Sequence, residues 1–268
     1  MDIHLRVLII VLTALIGLCV GSFLNVVIYR LPKNMSLLKP RSHCTKCEYQ
    51  LKWYENIPLF SYIFLRGKCI NCKEKISLRY PLVEFLNMIL WILSLTIYTN
   101  VIIPTIVPNY LMFSISLIAF SILVCVAFCD YDNMEIPDTF QAILLVLGII
   151  SFLAGDAESR VFGFLLGGGF FALFAGIFYI FKKKEGLGLG DIKLMAVLGL
   201  LLGFQNTILC ILLSSIFGAI ILSFLSIKNK KEKNREYPFA VFIVPCAIIA
   251  MLIGKFVVNW YLALFGIL

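Results

Sequence analysis

Apolar runs dominate this chain and fix what it can become. Stretches near 7–29, 81–103, 110–129, 139–154, 161–181, 192–204, 207–227 and from 238 onward carry almost no charge. A bilayer core asks for about 20 apolar residues per crossing helix. The pattern therefore predicts an all-α polytopic membrane protein with about eight transmembrane helices. Hydrophobic residues make up 61% of the 268 and charged residues 14%. Mean hydropathy is +0.99. A soluble domain is nearer a quarter charged, so that class is excluded.

Individual runs carry detail. The first holds Gly17 and Gly21 at the small-xxx-small spacing of close helix packing. It is too long for a signal-peptide core and lacks a small-residue cleavage site. Asn25, inside it, is expected to face protein rather than lipid. The run at 192–204 is short, which suits a tilted or shielded helix. The last run starts near Pro238, and Lys255 within it lies deep or snorkels to a surface.

Lysine and arginine fix the orientation. With alternating loops, one side receives 30–80, 130–138, 182–191 and 228–236, and with Lys193 it holds 20 of the 23 basic residues. That side is the cytoplasm. These loops account for the net charge of +8 without nucleic acid, which is not expected as a partner. Anionic membrane lipid or an acidic partner is the natural neighbour.

The one long polar stretch, 30–80, has 11 basic residues against three Glu and reads as short strands and turns. It contains Cys44-x-x-Cys47 and Cys69-x-x-Cys72. Each pair can turn two thiolates toward one tetrahedral ion, and two pairs close the site. A redox pair and structural disulfides are the alternatives. A cytoplasmic location speaks against disulfides, and no βαβ pattern surrounds either pair. The reading is a structural zinc, which folds a loop lacking a core of its own. His43 is read as a surface residue. The five other cysteines lie in apolar runs and act as small hydrophobes.

Asp130 ends one apolar run. Asp191 opens another, behind the glycines of Gly186-Leu187-Gly188-Leu189-Gly190. The loop alternation puts both at one membrane boundary. Two carboxylates in a poorly hydrated site cannot both ionise cheaply, so a pair shares a proton, as in aspartic proteases. Competing readings are a solvated helix end for Asp130 and a helix cap for Asp191. Asp138 reads as a cap, and Asp132 as an assistant or substitute. The glycines lack the spacing of a phosphate loop.

Several segments resemble one family. Asp130 is followed six residues on by Ile136-Pro137-Asp138. Gly188-Leu189-Gly190-Asp191-Ile192-Lys193 has the form of a glycine-rich GxGD signature. Gly21 through Arg30, Asn56-Ile57-Pro58, Arg66-Gly67-Lys68-Cys69 and Ser77 through Glu84 match as well. From about residue 17 to 200 the chain resembles the type IV prepilin leader peptidases, membrane aspartic proteases of the bacterial inner membrane. The resemblance implies catalytic aspartates at Asp130 and Asp191, and prepilins or pseudopilins as substrates, cleaved after the leader's terminal Gly. It also implies N-methylation of the new amino terminus with S-adenosylmethionine. Glu84 is the candidate for that half-reaction; pairing with Arg79 or Lys75 is its plainer reading. Many members carry Pro-Phe-Gly-Pro near the last helix, where this chain has Pro238-Phe239-Ala240-Val241. That departure is expected to leave the aspartates untouched.

The expected organisation is a first transmembrane helix over 1–29, a cytoplasmic tetracysteine zinc-binding domain over 30–80 and a transmembrane peptidase domain over 81–268. A small membrane transporter or scaffold with a structural zinc ribbon is the alternative. Such a protein would spread its intramembrane polar groups across the bilayer, whereas here they gather at one face.

Overall fold

A computed structural model describes residues 2–102, 109–183, 188–228, 237–264 and 266. Among these the chain is all-helical apart from turns and two isolated antiparallel bridges. The helices are α1 (Ile3–Arg30), α2 (Phe60–Phe64), α3 (Arg79–Tyr98), α4 (Tyr110–Asn133) and α5 (Asp138–Leu153). They continue with α6 (Ala157–Lys182), α7 (Leu189–Leu202), α8 (Phe204–Lys228) and α9 (Ala240–Leu264). Six of them (α1, α3, α4, α6, α8 and α9) are long and apolar enough to cross a membrane. The other two expected spans are shorter: α5 has 16 residues and α7 has 14. At 1.5 Å per residue these reach about 24 and 21 Å, against a hydrocarbon core of about 30 Å. The last helix begins at Ala240 rather than Pro238. Residues 103–108, 184–187 and 229–236 lie outside the described residues, and with them most of the 104–109 turn, Gly186 and Leu187, and most of the basic 228–236 loop.

The chain divides into two compact units, Met1–Cys125 and Val126–Leu268. In the first, α1 packs along α3. A Cβ on Gly21 would stand 2.7 Å from the Glu84 Cα, so only glycine permits this approach. Polar side chains staple the seam. Asn87, fully buried, donates to the Gly17 carbonyl at 2.7 Å and accepts from the Ser121 hydroxyl at 2.9 Å. Asn25 is buried against protein, as expected, and donates to the Tyr80 carbonyl at 3.0 Å.

The 30–80 stretch holds no extended strands. Its expected short strands reduce to the bridges His43–Gln50 and Lys68–Lys75, because turn follows turn too quickly for a ladder to grow. Arg30 is buried at its entrance and donates to the carbonyls of Ser36, Leu37 and Pro40. Backbone groups that no ladder serves are thus satisfied by a side chain.

In the second unit α7 is central and packs against α5, α6, α8 and α9. Leu194, Met195 and Leu198 are fully buried. Shielding of this kind answers for the short apolar run at 192–204. Gly163 on α6 and Gly199 on α7 press backbone to backbone, so that a Cβ on either would collide with the other's carbonyl oxygen. The far end of α7 is closed by Arg160. Its guanidinium donates to the carbonyls of Leu201 at 2.7 Å and Leu200 at 3.3 Å. A buried cation there satisfies orphan carbonyls and complements the helix dipole.

Candidate active site and metal centre

Asp130 lies in the last turn of α4 and is 5% exposed. Its Oδ2 accepts the Ala240 N–H at 2.9 Å, at the first residue of α9. The 238–241 segment therefore reaches an aspartate, but through its backbone. The donor is a backbone group, so Ala serves where many relatives are expected to carry Gly.

Asp191 sits in the first turn of α7. The cap position belongs to Gly188, and Asp191 makes no capping bond. Its Oδ1 is buried and has no hydrogen-bond partner among the described residues. Asp130 and Asp191 both belong to the second compact unit. Asp132, by contrast, is exposed.

Three contacts fasten the start of α7 to the segment that follows Asp130. Gln141 on α5 donates to the Gly190 carbonyl at 3.2 Å. Ile136 packs over Gly190, close enough that a Cβ there would meet it at 3.6 Å. Lys193 pairs with Asp138 at 3.0 Å, a largely exposed bridge. Asp138 is thus the first residue of α5 and a salt-bridge partner, not the cap expected; Pro137 holds the cap position. Gly188 has an ordinary extended backbone (φ −66°) and Gly190 is helical, so neither needs glycine's special freedom. A Cβ on Gly188 would stand 3.4 Å from the Asp191 Oδ2, an ordinary van der Waals contact.

In the first unit the four cysteines converge. The Sγ atoms of Cys44, Cys47, Cys69 and Cys72 all lie within 4.8 Å of one another, with Cys44–Cys72 at 3.8 Å and Cys47–Cys69 at 4.0 Å. A tetrahedron with Zn–S bonds of about 2.3 Å has S–S edges of about 3.8 Å, so this donor set fits zinc. The two halves repeat one design. In each, the first cysteine N–H bonds five residues ahead (Cys44 to Tyr49, Cys69 to Glu74), and its carbonyl accepts from four residues ahead (Glu48, Lys73). Glu48 and Lys73 both adopt positive φ to close the turn. Backbone donors also prepare thiolates. The Cys47 thiol is pulled down to about 6, chiefly by the backbone at Tyr49 and then by the Asn71 side chain. Cys69 is lowered by the backbone at Cys72, whereas at Cys72 the lowering by the backbone at Glu74 is outweighed by burial and the three neighbouring thiols, which push it up to about 12. His43 stands outside the cluster, half-buried, with Nδ1 2.9 Å from the Arg41 carbonyl.

Glu84 is buried on α3. Its Oε2 accepts the Leu59 N–H at 2.8 Å, and the Ser22 hydroxyl also bonds to it. Among the described residues Glu84 forms no salt bridge with Lys75 or Arg79. The carboxylate instead holds the Ile57-Pro58-Leu59 turn against the α1–α3 seam.

Sequence reasoning missed Ala240, Gln141 and Arg160. A backbone N–H leaves no mark in a sequence. Gln141 and Arg160 did leave one, as polar residues interrupting or bordering apolar runs.

Comparison with known proteins adds the lineage. Residues 15–98 match the model of the bacterial peptidase A24 N-terminal domain, and residues 117–223 that of the type IV leader peptidase family. The chain is 33% identical to the prepilin leader peptidase/N-methyltransferase of Aeromonas salmonicida, over 94% of this chain and 93% of the relative. The protein of that name from Pseudomonas aeruginosa is 34% identical over 95% and 93%, and that from Stutzerimonas stutzeri 36% over 94% and 93%. No solved structure matches.

Proposed function

Because this chain belongs to the type IV prepilin leader peptidase family, we propose that it removes the basic leader of prepilins and pseudopilins after the leader's terminal Gly and then N-methylates the new amino terminus. The observation that carries this reading is that the start of α7, with Asp191, is fastened within the second unit to the segment that follows Asp130. Hydrolysis divides between two carboxylates that share a proton. One draws a proton from water, whose oxygen attacks the scissile carbonyl carbon. The other gives its proton to the carbonyl oxygen. The C–N bond then breaks, and a proton passes to the leaving amine. Asp130, anchored through Ala240, is the fixed member. Asp191 offers the buried Oδ1, which has no hydrogen-bond partner among the described residues.

The assigned organisation is a first membrane helix over 1–29, a tetracysteine domain over 30–80 and a peptidase domain over 81–268. Cys44, Cys47, Cys69 and Cys72 hold one structural zinc with no open coordination position, and its task is to fold a loop too small for its own core. The excess of Lys and Arg in the 30–80, 182–191 and 228–236 loops supports a multi-pass protein of the bacterial plasma membrane with its aspartates at the cytoplasmic face. Prepilin leaders enter on that side.

Glu84 is assigned to the methyl-transfer half-reaction. It is an acceptor-only group that takes donors from Leu59 and Ser22 at the α1–α3 seam, where the Oδ1 of Asn25 is buried with no partner among the described residues. Together they suit a donor such as an amino group, on the methylated terminus or on S-adenosylmethionine, which supplies the methyl group.

The test co-expresses a prepilin with Asp130→Asn, Asp191→Asn and Glu84→Gln variants. Labelled S-adenosylmethionine reads methylation beside leader removal. Both aspartate variants are expected to leave the leader uncut, and Glu84→Gln to cut without methylating. Normal processing by either aspartate variant refutes the dyad.

A further inference from the structure

A cleft of about 470 Å³ opens beside the second cysteine turn, lined by Tyr62, Arg66, Lys68, Lys75, Ser77 and Leu78 among others. None of these belongs to the aspartate site or the cysteine cluster. Three of the lining residues are cations, and all three are exposed. Lys68 and Lys75 stand directly opposite each other in an isolated antiparallel bridge. Like charges facing across a bridge destabilise it, and an opposite charge nearby offsets the repulsion. None is supplied. Among the described residues no carboxylate forms a salt bridge with Arg66, Lys68 or Lys75; Glu74, adjacent in sequence, pairs instead with Lys46 at 3.9 Å. The hairpin is nevertheless well built. Ile76 N–H donates to the Gly67 carbonyl at 2.8 Å, and the Tyr62 hydroxyl donates to the Ile76 carbonyl at 3.2 Å. A rigid turn thus holds three uncompensated positive charges around one cavity.

The apolar surroundings say where the compensating anion comes from. Leu78, on the cleft wall, is 72% exposed, and the next residue begins α3, a membrane-crossing helix. Phe64 and Ile63, just before Arg66, are 81% and 67% exposed. Aromatic and aliphatic side chains next to a bilayer-entry point suit the acyl boundary, while Lys and Arg suit the headgroup layer. A basic leader peptide is repelled from such a cleft, so it is not the substrate's seat.

We propose that this cleft binds the phosphate of an anionic membrane lipid, with Arg66, Lys68 and Lys75 around the phosphate and Ile63, Phe64 and Leu78 against the acyl chains. The tetracysteine domain is thereby moored to the membrane surface beside α3. A free phosphate presents the same charge but not the same chains, and it would gain nothing from the apolar rim.

The experiment compares the purified full-length protein with an R66Q/K68Q/K75Q variant by native mass spectrometry from mixed micelles. Three exposed side chains change, so helical content by circular dichroism is expected to stay the same and is measured first. Each basic residue near a charged surface strengthens anionic-lipid binding severalfold, so affinity for phosphatidylglycerol falls about tenfold or more in the variant. Phosphatidylcholine retention is the same for both proteins, a K39Q/R41Q control keeps the lipid, and millimolar inorganic phosphate does not displace it. Equal phosphatidylglycerol affinity in the triple variant overturns the proposal. So does displacement by inorganic phosphate, which would make the cleft a free-anion site.

Discussion

Ala240 offers a way to disturb the proposed dyad without touching either carboxylate. Its N–H reaches Asp130 Oδ2 at 2.9 Å, and both residues are buried. Ala240→Pro deletes that donor. Proline suits the first position of a helix, where no intrahelical acceptor waits for the N–H and the fixed φ is already helical. Hydrogen bonds to a charged acceptor are worth about 1.5–3 kcal/mol, so if the bond orients Asp130 for reaction, leader cleavage slows roughly 10- to 150-fold. Ala240 is fully buried, and bulk alone could do harm. Ala240→Ser separates the two effects, since it adds an atom and keeps the N–H. The assay is cleavage of a purified prepilin, with thermal unfolding run on each variant. Serine within about threefold of the parent and proline far below it is the expected pattern. Proline cleaving at the parental rate, or serine failing as badly as proline with both still folded, would refute the reasoning.

Further outcomes follow from the same coordinates. Gly199→Ala gains about 1 kcal/mol of helix propensity but drives a methyl into the Gly163 carbonyl, at the upper end of the about 1–3 kcal/mol for overpacking. The net effect is a lower melting temperature together with lost cleavage, because α7 carries Asp191. Cys47→Ser removes one of the four donors proposed for zinc, and metal analysis should find little zinc and rapid proteolysis within 30–80. Zinc is held by thiolates, so protons compete with it for all four cysteines. Retention is therefore expected to fall on acidification, and retention unaffected by acid would contradict a cysteine-held ion.

Much of the site was legible because a charge beside hydrocarbon must have a reason. Asp130, Asp191 and the cysteine quartet each stood out against apolar or basic surroundings, and their types named the chemistry. The fold class was equally open, since apolar runs of that length allow little else. What stayed hidden depends on three-dimensional pairing. Asp138 looked like a cap because Asp favours caps, yet a tertiary partner, Lys193, claimed its side chain. Glu84 has basic neighbours in sequence but takes its donor from Leu59, 25 residues away. The opposition of Lys68 and Lys75 follows from the register of a turn that no composition reveals.

The brevity of α7 has a consequence for where its carboxylate can sit. Asp191 marks one end of this 14-residue helix and the guanidinium of Arg160 closes the other. The two polar ends are about 21 Å apart, roughly 9 Å less than the hydrocarbon slab is thick. α6, α8 and α9 pack around α7 and, at 25 or 26 residues, are each long enough to cross, so the second unit meets the lipid through longer helices while α7 is held by protein. Freed from matching the slab, α7 can hold its carboxylate below the surface, where a peptide bond must descend to meet it.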